Sequence, residues 1–189
     1  GGPEVYRLTP PPTLVLAHVE VRATETARHI AHEIEQLAIG GKCRMTHGTS
    51  GIVIQETVAA RMERLYSWRV KPESVLTVTG IVSGFTVAAR AFCSPKKGVA
   101  IQTPVYNEFH QVKNNAGIPQ LDIPFVKNVE GNLISYEIDW DLFEKRVKKA
   151  GIFLLCNPHN PLGIIFSRKE MTRMAEICIK NKVIIVSDE

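Results

Sequence analysis

Four side chains in the second half of the chain combine useful chemistry with a similar address. Tyr106 follows the run GVAIQT (98–103), Asn157 and Asn160 lie in CNPHNPLG straight after GIFLL, and Asp188 follows VIIVS. A phenol ring can stack on a flat ligand. An amide in a proline-stiffened loop can donate to a ligand oxygen, because proline fixes its own φ and biases the residue before it toward extended geometry. A carboxylate after four apolar residues and a serine needs a cation or a donor, since burying it unpaired is costly. Each feature also has a plain structural reading: a ring packed in a core, an asparagine in a turn, an aspartate satisfied within the protein. Within CNPHNPLG, His159 and Leu162 read as the least constrained positions.

The pattern around these residues says how they are carried. SVLTVT (74–79), GVAIQT (98–103), IPQLDIPF (118–125), IFLLC (152–156) and VIIVS (183–187) read as strands. Helical spacing is found over 24–38, near 53–66 and over 83–93, 104–117, 139–151 and 167–182, where Ser167 and Glu170 stand at capping-box spacing. Strands apolar on both faces and alternating with helices predict an α/β fold, a mostly parallel sheet sandwiched by helices. In such sheets ligands sit beyond the carboxyl ends of the strands, which is where Tyr106, Asn160 and Asp188 fall. The strand over 74–79 ends at Gly80 and runs straight into a helix. The first amides of that helix would then lack helical partners, an end suited to an anion such as phosphate, while the plain structural reading is an ordinary strand-to-helix turn. GxGxxG and GxxxxGK[ST] are both absent, so such a phosphate would not sit in a dinucleotide-binding or P-loop turn. Together the positions describe a planar, phosphorylated, nitrogen-containing ligand.

Composition narrows the rest. A formal charge of +4 with scattered Lys and Arg argues against nucleic acid, and the densest basic run, EKRVKK (144–149), reads as the solvated face of a helix. Cys43, Cys93, Cys156 and Cys178 are widely spaced without a CxxC, which predicts buried thiols in a reducing, cytoplasmic setting. No apolar run approaches the length of a membrane span, and no signal peptide is visible. His29 and His32 lack the further ligands of a metal set and read as surface residues. The Pro-rich opening predicts an arm or linker over 1–23, followed by a helical segment over 24–66 and a partial large domain over 67–189. The start without Met and the stop just after a strand read as a fragment.

The strings TPVYNEFH, NPHNPLG and VIIVSDE, in this order and spacing, resemble the fold-type I pyridoxal-phosphate enzymes of aminotransferase class I/II. LLCNPHNPLG, AEICIKNKVIIVSDE and YSWRVKPESVLTVTGIVSGF are most similar to the cystathionine β-lyase, or C–S lyase, branch. The resemblance is strong from Tyr66 to Glu189 and weak before it. It implies pyridoxal 5'-phosphate as cofactor, with its phosphate on the amides of Ile81 and Val82. Tyr106 would stack on the ring, Asn160 would bind its phenolic oxygen, and Asp188 would pair with the ring nitrogen. It further implies a homodimer acting on an amino-acid substrate, and a Schiff-base lysine and a substrate-binding arginine beyond the SDE motif, so no catalytic lysine is assigned within the chain.

Departures from the family pattern gather upstream. VLAHVEV stands where a WxADMDF-like stretch is usual, placing Val15 and His18 there; Met45 replaces a tyrosine, and Leu162 a threonine. Three functions are therefore weighed: a C–S lyase releasing thiol, pyruvate and ammonia; an aminotransferase; and a non-catalytic fragment or degenerate homologue acting through protein contacts. The chain by itself is expected to be inactive.

Overall fold

A computed structural model describes residues 15–16, 49–76, 78 and 80–189 of the chain. The helix predicted over 24–38 lies outside the described residues, as do His18, His29, His32, Cys43, Met45 and nearly all of the expected arm. Two compact units part between positions 78 and 79.

In the first unit two short strands, β1 (Val15–Leu16) and β2 (Val75–Leu76), pair in parallel with Val15 opposite Val75. Helix α1 (Thr49–Tyr66) is tied to β2 by Gln55, whose Nε2–H donates to the Val75 carbonyl at 2.8 Å. It begins four residues before the 53–66 pattern. Its C-terminus closes without glycine: Ser67 takes φ 53, and its N–H donates to the Glu63 carbonyl at 2.9 Å.

The second unit runs in the order α2 (Ile81–Phe92), β3 (Gly98–Thr103), α3 (Asn107–Ala116), β4 (Gln120–Pro124), β5 (Val126–Glu130), β6 (Leu133–Glu137), α4 (Trp140–Val147), β7 (Ala150–Cys156), α5 (Arg168–Lys180) and β8 (Ile184–Asp188). Four strands form one parallel sheet in the order β4-β3-β7-β8. The α/β reading of the sequence holds. Every residue of β7 is buried, as its unbroken apolar run requires of a central strand covered on both faces.

Alternation along the strands divides the core between the two faces. On one face Ala100, Phe153 and Leu155 meet Phe143 and Val147 of α4 and Met174, Ile177 and Cys178 of α5. Phe143 stands edge-on to Phe153 at 5.1 Å. On the other face lie Val99, Ile101, Ile152 and Leu154, the side where α2 and α3 bring Phe85 and Phe109 together at 5.1 Å. Local signals set the helix ends. The Asp139 carboxylate accepts from the Leu142 N–H at 2.9 Å to cap α4, and Ser167 with Glu170 completes the predicted capping box of α5. Gly117 ends α3 in the left-handed region at φ 68.

Three expectations need correction. Helix α2 starts at Ile81 rather than 83: its first bond already runs from the Gly84 N–H to the Gly80 carbonyl at 3.0 Å, and the Thr86 hydroxyl donates to the Val82 carbonyl at 2.9 Å. Tyr106 precedes α3 as its cap position instead of lying in the first turn. An antiparallel hairpin, β5–β6, fills a stretch that the sequence reading left without structure. Its signal was the pair Gly131-Asn132, a two-residue turn with Gly131 at φ 59.

Gly151, at the second position of β7, sits where a Cβ would lie 2.2 Å from the Phe92 carbonyl oxygen at the end of α2. Backbone cannot yield as a flexible side chain does. We expect Gly151→Ala to destabilise the unit by about 1–3 kcal/mol, read as a lower midpoint in urea unfolding; an unchanged midpoint would mean that α2 does not end against β7.

Candidate functional site

All four strands of the main sheet are parallel, so their carboxyl ends share one edge. Register aligns Thr103 with Pro124 at one side of that edge and Cys156 with Asp188 at the other. Helix α2 returns to it from the opposite end of the sheet. Its last residue, Phe92, lies against Gly151 at the start of β7, and its 12 residues extend about 18 Å back from there. A helix running back along the strands from that point directs its N-terminal residues, Ile81 and Val82, toward the carboxyl edge. The first bond of the helix runs from the Gly84 N–H to the Gly80 carbonyl at 3.0 Å, leaving the amides of Ile81 and Val82 without intrahelical acceptors. No acidic residue occupies that first turn, so the positive end of the helix dipole stays unneutralised by its own sequence.

Two backbone hydrogen bonds knit the edge together. The Tyr106 N–H donates to the Asn160 carbonyl at 2.9 Å, and the Asn157 N–H donates to the Asp188 carbonyl at 3.0 Å. Segments that are distant along the chain therefore meet at one place. Tyr106 is 45% exposed, Asn160 is exposed and Asp188 is half-buried. The two asparagines divide their work. Asn157 Oδ1 accepts from the Phe166 N–H at 3.4 Å and closes the loop on itself, whereas the Asn160 side chain lies at the surface of the edge.

The sequence marks His159 as loosely constrained, and the structure overturns this. The ring is 2% exposed, its Nε2–H donates to the Pro104 carbonyl at 2.8 Å, and Phe125 stands edge-on to it at 5.0 Å. An apolar wall on one side and a carbonyl on the other leave the imidazole one position. Leu162 is half-buried. A histidine bracketed by prolines, straight after an all-apolar strand, was the available signal.

Cys156 is the other residue that the sequence reading left out of the site. Its thiol, 5% exposed, accepts from the Asn160 N–H at 3.4 Å and donates to the Pro158 carbonyl at 3.6 Å. Burial pushes the thiol above its ordinary range; the Asn160 N–H works against that, and the charge of Asp188 adds to it. Among the described residues no three His, Cys, Asp or Glu side chains gather as a metal set, and no helix is long and apolar enough to cross a membrane.

A family model described as aminotransferase class I and II matches residues 20–189. Cystathionine beta-lyase PatB of Bacillus subtilis (strain 168) is 29% identical over 193 residues, covering 98% of this chain and 46% of that protein. A histidinol-phosphate aminotransferase of Aliivibrio fischeri is 29% identical over 122 residues, covering 64% of this chain and 33% of that protein. Among solved structures, a pyridoxal-phosphate-bound C–S lyase of Staphylococcus hominis superposes with a TM-score of 0.68 at 25% identity, covering 85% of this chain and 40% of that one. The chain spans less than half the length of the relatives it matches.

The contact between Cys156 and Asp188 can be tested without any ligand. Since the carboxylate disfavours the thiolate, Asp188→Asn should move the alkylation of Cys156 to lower pH, more thiolate being present at each pH. Iodoacetamide labelling followed by mass spectrometry reads this. Cys178, fully buried and pushed up to about 12, serves as the unreactive control in both proteins.

Proposed function

The chain belongs to the aminotransferase class I and II family, and from that membership we propose that it forms the cofactor-gripping part of a pyridoxal-phosphate-dependent C–S lyase. The observation that carries this reading is the meeting of Tyr106, Asn160 and Asp188 on the sheet edge to which α2 also brings its free amides.

The residues suit the parts of that cofactor. The amides of Ile81 and Val82, on a helix end without acidic neighbours, would bind the phosphate. Tyr106, with its ring half out of the protein, would stack on the pyridine, and the exposed Asn160 amide would donate to the phenolic oxygen. The Asp188 carboxylate would hold a proton on the ring nitrogen. When bound, the cofactor supplies an electron sink for the bond pair released at the substrate Cα. By holding the ring nitrogen protonated, Asp188 keeps that sink open. The lysine that takes the Cα proton and the arginine that grips the substrate carboxylate follow, on the family pattern, the positions matched here. In the lyase reaction the Cβ–S bond of a sulfur amino acid breaks and sulfur leaves as a thiol. Addition of water to the remaining skeleton releases pyruvate and ammonia.

The lyase reading is supported by PatB, which the chain matches almost from end to end. An aminotransferase is the second reading, supported by the histidinol-phosphate aminotransferase at equal identity over a shorter span. A homodimer and a cytoplasmic location belong to the same proposal; the free thiols Cys93, Cys156 and Cys178 support a reducing compartment.

The whole protein, incubated with cystathionine and no added keto acid, should release pyruvate. Turnover that requires a keto acid acceptor would favour the aminotransferase instead, and failure to bind pyridoxal phosphate would sink both. Asp188→Asn should lower kcat by about a hundredfold or more while cofactor remains bound, because the phosphate contacts lie elsewhere.

A further inference from the structure

We propose that His159 is a positioning residue that locks the two halves of this site, the Tyr106 segment and the Asn160 loop, into one unit before cofactor arrives. The inference rests on the cofactor reading above and adds to it a residue that touches neither ring nor phosphate. A carbonyl can only accept, so the 2.8 Å contact between His159 and Pro104 requires the proton on Nε2. Its other ring nitrogen, Nδ1, is buried and has no partner among the described residues. The backbone of His159 is spent as well: its N–H donates to the Ile164 carbonyl, and its carbonyl accepts from the Gly163 N–H, both at 2.7 Å. The residue is therefore held by the Asn160 loop through its main chain and reaches the Tyr106 segment through its side chain.

One residue along, the geometry repeats in the opposite direction. The Tyr106 N–H donates to the Asn160 carbonyl at 2.9 Å. Pro104 to Tyr106 and His159 to Asn160 thus form a two-rung clamp, one rung side chain and one rung main chain. Phe125 and Phe166, with ring centroids 5.0 and 6.0 Å from the imidazole, exclude water from the side-chain rung. A shielded hydrogen bond with no competing water is costly to leave unmade. Its loss would let Tyr106 and Asn160 drift apart, and ligand binding would then have to restore the order.

The test uses the whole protein. His159→Phe keeps an aromatic ring against Phe125 and Phe166 and removes the donor; His159→Asn removes its reach and serves should the Phe variant not fold. His159→Gln, whose amide nitrogen reaches about as far as Nε2, is the conservative rescue. Two readouts are taken: amide exchange at Tyr106 in the cofactor-free protein, and the dissociation constant for pyridoxal phosphate. His159→Phe and His159→Asn should lose protection at Tyr106 while Phe153 and Leu154 of β7 keep theirs. They should also bind cofactor about tenfold more weakly, with Gln recovering most of both. Unchanged exchange at Tyr106, or unchanged affinity in a variant whose Tyr106 has loosened, overturns the clamp. Wild-type protein that binds no pyridoxal phosphate overturns the cofactor reading and the clamp with it.

Discussion

The burial of β7 on both faces, between parallel neighbours on both sides, is the constraint from which the rest of the second unit follows. A strand whose seven residues are all apolar or glycine has no polar side chain with which to negotiate an exposed position. Its backbone groups must be paired by β3 and β8, and its side chains must be covered by helices above and below. Parallel pairing then decides the chemistry. Chain leaving β3, β7 and β8 emerges at the same edge, so whatever polar residues follow those strands become neighbours. Tyr106 and Asn160 follow β3 and β7, and Asp188 is the last residue of β8.

Electrostatics gives that edge a direction. The amide end of α2 contributes a positive partial charge, undiminished by any acid in its first turn, while Asp188 contributes a negative one. A ligand with an anionic group at one end and a protonatable ring nitrogen at the other matches both at once. The thiol of Cys156, raised by burial, stays protonated beside Asp188 and adds no charge of its own. Pyridoxal phosphate has this distribution of charge, which is why the charges and the ring-stacking residue support the same reading.

Much of this was legible in the sequence because it depends on local rules. Ser167 and Glu170 announce the start of α5, Gly117 the end of α3, and the apolar runs of β7 and β8 their place in the sheet. The candidate residues could be named from strand ends alone, since register in a parallel sheet needs no knowledge of loop shape. His159 escaped for the converse reason. Its place depends on Pro104, a residue 55 positions away, and on Phe125 and Phe166, none of which the loop sequence reveals. The β5–β6 hairpin escaped because its strands are mostly exposed and lack the apolar alternation that marks a half-buried strand. Its evidence was confined to one Gly-Asn turn.

The likeness to both a lyase and an aminotransferase has a physical reason within this set of residues. Ile81, Val82, Tyr106, Asn160 and Asp188 are all suited to the phosphate and ring of the cofactor, and none is assigned to the substrate Cβ or to the sulfur that leaves it. Holding the ring nitrogen protonated helps either reaction, because both begin by removing the Cα proton. The two diverge afterwards, in whether Cβ loses its sulfur or a proton returns to the cofactor side. Groups that reach Cα and Cβ must make that choice.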